Sequence, residues 1–216
     1  MRYRRLGRTE WMVSEVGLAL RALEGIDEAA AGATLGAATA SGVTLLLVDV
    51  REHEGGVEPL VGRVMAGERP RLVAVSRFER LAEPAAFAAQ LQAAGARLSD
   101  DGYLDVALFK EIPDPPHREV LERLAVTRGV RAWGVETDEA AFAARAFEDG
   151  ATVVVTPAPA SDALLAAAAR AGAGVIVAGP PEEVAASLAD PRVTSAVAEA
   201  ATPAEMDTLV RAAISG

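Results

Sequence analysis

Eight short apolar runs punctuate the chain: VGLAL (16–20), TLLLVD (44–49), RLVAVSR (71–77), LDVALFK (104–110), VRAWGVE (130–136), ATVVVTP (151–157), AGVIVAG (173–179) and VTSAVAEA (193–200). Each is apolar almost without interruption, the pattern of a strand covered on both faces rather than one. Alanine-rich segments with helical character lie between them. DEAAAGATLGAATASG (27–42) closes on Gly42, and AEPAAFAAQLQAAGARLS (82–99) is built of helix formers. DEAAFAARAFEDG (138–150) puts acids in its first turn and glycine at its end. SDALLAAAARAG (161–172) starts on Ser161 as a candidate N-cap, and TPAEMDTLVRAAIS (202–215) carries Pro203 in its first turn.

Strands alternating with helices predict parallel strands joined by crossovers, and eight is the number that closes a (β/α)8 TIM barrel. A doubly wound open sheet is the alternative. Such barrels take about 250 residues, so 216 residues require short loops. No linker or low-complexity break divides the chain, which reads as a single domain over 1–216. Residues 1–15 stand outside the alternation: RYRRLG and WMVS flank RTE, a β-hairpin expected to close the barrel floor.

Composition narrows the function classes. The formal charge is −10, and beyond the Arg2, Arg4, Arg5 and Arg8 group there is no cationic stripe of the kind a phosphate backbone needs; no nucleic-acid partner is expected. Cysteine is absent, which removes disulfides and thiolate metal sites, and His53 and His117 are too far apart in sequence to suggest a histidine metal site. No apolar h-region follows the first arginines and no uncharged apolar stretch reaches about 18 residues, so neither a secretory signal nor a membrane span is expected, and the cytoplasm is the expected compartment. The chain has no asparagine and one lysine against twenty arginines. Heat adaptation and codon bias account for that equally well.

Barrel chemistry sits where strands end at their carboxyl side. Those ends carry Leu20–Arg21, Asp49, Arg77, Lys110, Glu136, Pro157, Gly179 and Ala200. Asp49, Arg77, Lys110 and Glu136 are thus expected to converge on one mouth. Three readings of the single lysine stay open. It could help neutralise buried Asp49 as an ion-pair plug, grip a small anion together with Arg77, or form a Schiff base with a carbonyl ligand. His53, in the loop after the second run, is a candidate acid near Asp49, and Gly55–Gly56 beside it is a weak phosphate signal.

The chain resembles the aldo-keto reductase family. MRYRRLGRTEWMVSEVGL is similar to the family's opening, VEPLVGRVMAG to the helix after strand two, GYLDVALFKEIPDP to the strand-four segment, RGVRAWGVE to the strand-five segment and DPRVTSAVAEAATPAEMDTLVRA to the last helix pair. The resemblance implies NADPH-dependent carbonyl reduction by an Asp, Tyr, Lys and His tetrad. Carried over residue by residue, Asp49 stands at the aspartate, Glu54 nearest the tyrosine, Arg77 at the lysine and Lys110 at the histidine. The carboxamide-holding pair becomes Glu136–Thr137, the strand-six glutamine Val155 and the stacking aromatic Ala178. AGPPEEVAASL lacks the pyrophosphate loop, and Glu199, Glu205 and Asp207 stand where a 2′-phosphate would need bases. These departures predict an aldo-keto-reductase-like pseudoenzyme with a binding or interaction role and no bound cofactor, NADP being the only family-implied candidate. An enzyme repurposed around Asp49, Arg77, Lys110 and Glu136 for a small anionic or carbonyl ligand, and a residual NAD(P)H-dependent oxidoreductase, are the alternatives. A protein partner or a homo-oligomer is compatible with the sequence.

Overall fold

The computed structural model describes residues 1–50, 57–64, 66–99 and 101–214. Eight parallel strands close into a barrel: β3 (Val16–Ala19), β4 (Leu45–Val50), β5 (Val73–Phe78), β6 (Leu104–Phe109), β7 (Val130–Glu136), β8 (Val153–Pro157), β9 (Gly174–Ala178) and β10 (Ser195–Glu199). They follow chain order around the ring, and β10 returns to pair with β3, Val197 opposite Gly17. Helices α1 (Glu28–Ala40), α2 (Glu58–Val64), α3 (Pro84–Leu98), α4 (Pro115–Val126), α5 (Ala140–Glu148), α6 (Asp162–Ala171), α7 (Pro181–Ser187) and α8 (Pro203–Ile214) form the outer layer. Among the described residues no helix is long and apolar enough to cross a membrane.

The unbroken apolar runs serve two separate cores. One parity of each strand points inward, so Leu45, Leu47, Val73, Val75, Val106, Leu108, Val153, Val155, Ile176 and Val197 fill the barrel. The other parity meets the helices, with Leu46, Val48, Ala74, Ala107 and Val154 packing among Leu35, Phe87, Leu91, Leu124 and Leu164. Ser161 caps α6 as its sequence predicts, whereas the acids expected in the first turn of α5 precede it, the helix starting at Ala140. Asp27 accepts from the amides of Ala29 and Ala30, Ser161 from that of Leu164, and Gly172 ends α6 at φ 64°. The third run starts later than expected: Arg69–Arg71 make a 3-10 turn, because Pro70 has no N–H for a ladder and fixes its own φ.

β1 (Tyr3–Arg5) and β2 (Met12–Ser14) form the antiparallel hairpin at the amino ends of the barrel strands. Leu6, Val13 and Trp11 plug the barrel interior from below. The approach is close: a Cβ on Gly7 (φ 56°) would stand 2.3 Å from the Gly174 amide nitrogen. Arg4 secures the hairpin. Its Nε meets Glu15 at 2.5 Å, Nη1 donates to the carbonyls of Asp190 and Val193, and Nη2 donates to Leu188. Arg2 takes the other Glu15 oxygen at 2.6 Å. Burial pushes the Glu15 carboxyl up, but the two guanidiniums together hold it below its ordinary value.

Candidate functional site

The mouth of the barrel is built by the continuation of its inward parity. Asp49 follows Leu45 and Leu47, Arg77 follows Val73 and Val75, and Glu136 follows Ala132 and Gly134. Asp49 and Arg77 are direct register partners on β4 and β5. Arg77 Nε lies 3.1 Å from Asp49 Oδ1, and Nη1 lies 3.5 Å from Glu136 Oε1. The guanidinium therefore reaches from β5 to β7, passing over the intervening β6, where Leu108 is its register partner. The three side chains are only 13%, 20% and 23% exposed. Asp49 Oδ1, Arg77 Nε and Glu136 Oε2 are buried yet make no aligned hydrogen bond. The contacts are thus Coulombic, with two carboxylates sharing one cation.

Lys110 does not complete this group. It follows the last residue of β6, is exposed, and forms no ion pair or hydrogen bond with a described residue. The expected four-residue convergence is a trio, with the lysine standing outside it. The physical reason is that β6 ends at Phe109, and an ammonium released from the strand keeps its hydration by turning to water. His53 and Glu54 lie outside the described residues.

His117 is at the start of α4 and is buried, 8% exposed. Its Nδ1 meets the Asp114 carboxylate, its Nε2 meets the Ala82 carbonyl at 2.9 Å, and its ring stands edge-on to Phe87 at 4.8 Å. Burial lowers the imidazolium's pKa, but the Ala82 carbonyl and Asp114 together leave it above its ordinary value. The side chain staples the turn after β5 to the start of α4 and is committed to that task.

Both tyrosines are at the opposite end of the barrel. Tyr3, in the floor hairpin, donates to the Gly42 carbonyl. Tyr103 precedes β6 and lies under two guanidiniums, Arg69 at 4.5 Å and Arg131 at 3.9 Å from its ring centre. Those arginines flank Asp105, which is 1% exposed; Arg69 meets it at 2.7 Å, Arg131 at 3.5 Å, and the Ala74 amide donates to it at 2.9 Å. Nothing in the sequence pattern marked this buried cluster, because Arg69 sits in the turn-like RPR stretch and looks solvated.

Where the resemblance implies NADP, the residues offer little to hold it. Val155 is fully buried among the barrel's interior side chains, and Ala178 has no ring. β9 passes through Gly179 and Pro180 directly into α7, whose first turn presents Glu182 and Glu183. The start of α8 is closed by its own side chains: Glu205 accepts from the Ala201 amide at 2.8 Å and Thr202 Oγ1 from the Glu205 amide at 3.3 Å. Among the described residues no group of three His, Cys, Asp or Glu could hold a metal ion.

No protein-family model matches the chain, and no curated protein matches it by sequence. Solved structures do match. An aldo-keto reductase from Klebsiella pneumoniae in complex with NADPH superimposes with a TM-score of 0.83 at 20% identity, over 99% of this chain and 89% of that one. The holo form of an aldo-keto reductase from Bacillus halodurans gives 0.81 at 18% identity, over 99% and 90%. A thermostable aldo-keto reductase solved with the inhibitor epalrestat gives 0.84 at 18% identity, over 98% and 94%. The identities are low and the superpositions nearly complete, so the finding is one of architecture: this chain has the aldo-keto reductase fold.

Proposed function

We propose that this chain is an aldo-keto reductase relative that does not reduce carbonyls with NADPH and that uses its mouth to bind rather than to transfer hydride. One observation carries the reading. Carbonyl reduction needs a proton donor beside the acceptor oxygen, and the chain's two tyrosines, Tyr3 and Tyr103, are both held at the floor, a barrel length from Asp49. The rest of the mouth supports it. Arg77 is a permanent cation, bound by Asp49 on one side and on the other by Glu136, at the position where the resemblance implies a carboxamide contact. The α8 start, already capped by Glu205, would repel a 2′-phosphate. NADP therefore does not fit the residues present.

Fluorescence titration with NADPH, followed by turnover assays on a panel of aldehydes and ketones, tests this. Neither saturable quenching nor NADPH consumption is expected. Micromolar binding with turnover overturns the reading, and its loss in a His53→Ala protein would then assign the proton donor.

A second reading has its own observation. Lys110 is exposed at the mouth and carries no counter-ion among the described residues. A free amine there can condense with a carbonyl ligand, forming the imine C=N bond and releasing water. Borohydride trapping with small aldehydes, lost in Lys110→Arg, supports it; equal trapping in both proteins excludes it.

A further inference from the structure

The floor carries a feature that the fold and the mouth leave unused. Between the hairpin turn, the end of α4 and the starts of β7 and β8 is an open groove of about 540 Å³. Arg8, Arg128 and Arg131 line it together with Thr9, Trp11 and Thr152, and Glu10 is the only acid among its described lining residues. In a chain with 31 acids against 21 bases this sign reversal is local and strong.

The three arginines are differently placed. Arg131 is fixed by stacking on Tyr103 and by Asp105. Arg8 donates one N–H to the Ala151 carbonyl at 3.0 Å and has no acidic partner among the described residues. Arg128 has no side-chain partner among them, and it is the one described non-glycine residue with positive φ, 60°. That left-handed backbone is uncommon for a residue with a Cβ, and glycine would suit it better. A strained backbone thus holds a cation beside the groove, and a guanidinium is the substituent it holds.

We infer that this groove binds a multiply charged phosphoryl anion, with Arg8 and Arg128 as its free guanidinium forks and Arg131 as a pre-positioned third. Planar forks of N–H donors match phosphoryl oxygens bidentately, and three convergent cations facing a single lining acid are relieved by an anion. The volume is in the range of small-ligand sites. The site lies on the face opposite Asp49 and Arg77 and is independent of what the mouth does.

Calorimetric titration of the full chain with inorganic pyrophosphate, and in parallel with ADP, tests the inference. Saturable binding at one site is expected, weakened about tenfold or more in Arg128→Gly and again in Arg8→Ala, and unchanged in Arg80→Ala, an exposed arginine of the loop after β5. Arg128→Gly satisfies the φ of 60°, so unchanged circular dichroism and thermal midpoint are expected to accompany the loss. Binding of ADP with the same arginine dependence identifies a nucleotide as the source of the phosphoryl group; binding of pyrophosphate alone identifies the free anion. No saturation up to millimolar concentration, or undiminished binding in the Arg8→Ala, Arg128→Gly double variant, overturns the proposal.

Discussion

The two ends of the barrel treat their buried carboxylates differently. At the floor, Asp105 is enclosed by two arginines and a backbone amide, and Arg4 spends its guanidinium on Glu15 and three carbonyls. At the mouth, Arg77 touches two acids without aligning to either, and three polar atoms of the trio stay unmatched. The buried floor acids Glu15 and Asp105 have both oxygens paired, although Arg69 keeps two buried nitrogens unmatched among the described residues. The mouth acids Asp49 and Glu136 each keep an unmatched oxygen, capacity that a ligand can use. For the carboxylates the division follows the architecture, in which barrel chemistry sits at the carboxyl ends of the strands.

Substitutions on each side sharpen that contrast, and the largest effect is expected at the floor. Asp105→Ala leaves Arg69, only 5% exposed, without its carboxylate. Removing one partner of a buried pair costs about 3–5 kcal/mol, to be read as a fall in the urea midpoint at unchanged slope. Arg77→Ala at the mouth is expected to cost about 1–2 kcal/mol, because its partners keep some solvent contact and were never well aligned. A mouth loss as large as the floor loss would erase the distinction.

Titration gives two intermediate effects of opposite sign. Glu15 has a lowered pKa in the folded chain, so its contribution is present above the unfolded value and is lost as pH falls through the folded one. In urea melts the stability gap between the native chain and Glu15→Gln should be open at pH 6 and narrow as pH falls below the ordinary carboxylate range. His117 has a raised pKa, so its contribution is complete below the unfolded value and is lost as pH rises through the folded one. The gap between the native chain and His117→Gln should be open at pH 6 and narrow towards pH 9. The smallest effect is reserved for the one lysine. Lys110→Met should leave the urea midpoint within about 0.5 kcal/mol of native, since the side chain is exposed and touches no described counter-ion.

The sequence made the barrel legible because parallel strands covered on both faces cannot hide. All eight apolar runs became strands in the order written, and RYRRLG and WMVS became the floor hairpin. It also placed Asp49, Arg77 and Glu136 together, since period-two parity carries the barrel's interior positions on to the rim. What escaped it were contacts set by three-dimensional closure. Nothing local says that Arg69 and Arg131, 62 positions apart, share Asp105 and one aromatic ring. Nothing local says that Lys110 leaves its strand's parity at the bend after Phe109. The family resemblance foresaw the architecture that the solved structures share, and said less about which charges would actually meet.

Arg4 has a consequence for how the chain comes together during synthesis. Its acceptors at Leu188, Asp190 and Val193 follow it by 184 to 189 positions, and β3 finds one of its two neighbours in β10. The hairpin and β3 are synthesised well before these partners, and must wait with unpaired edges until β10 has left the ribosome. Docking of the floor hairpin is then the clasp that fastens the ring, and a chain truncated before residue 188 would leave Arg4 and β3 without these mates.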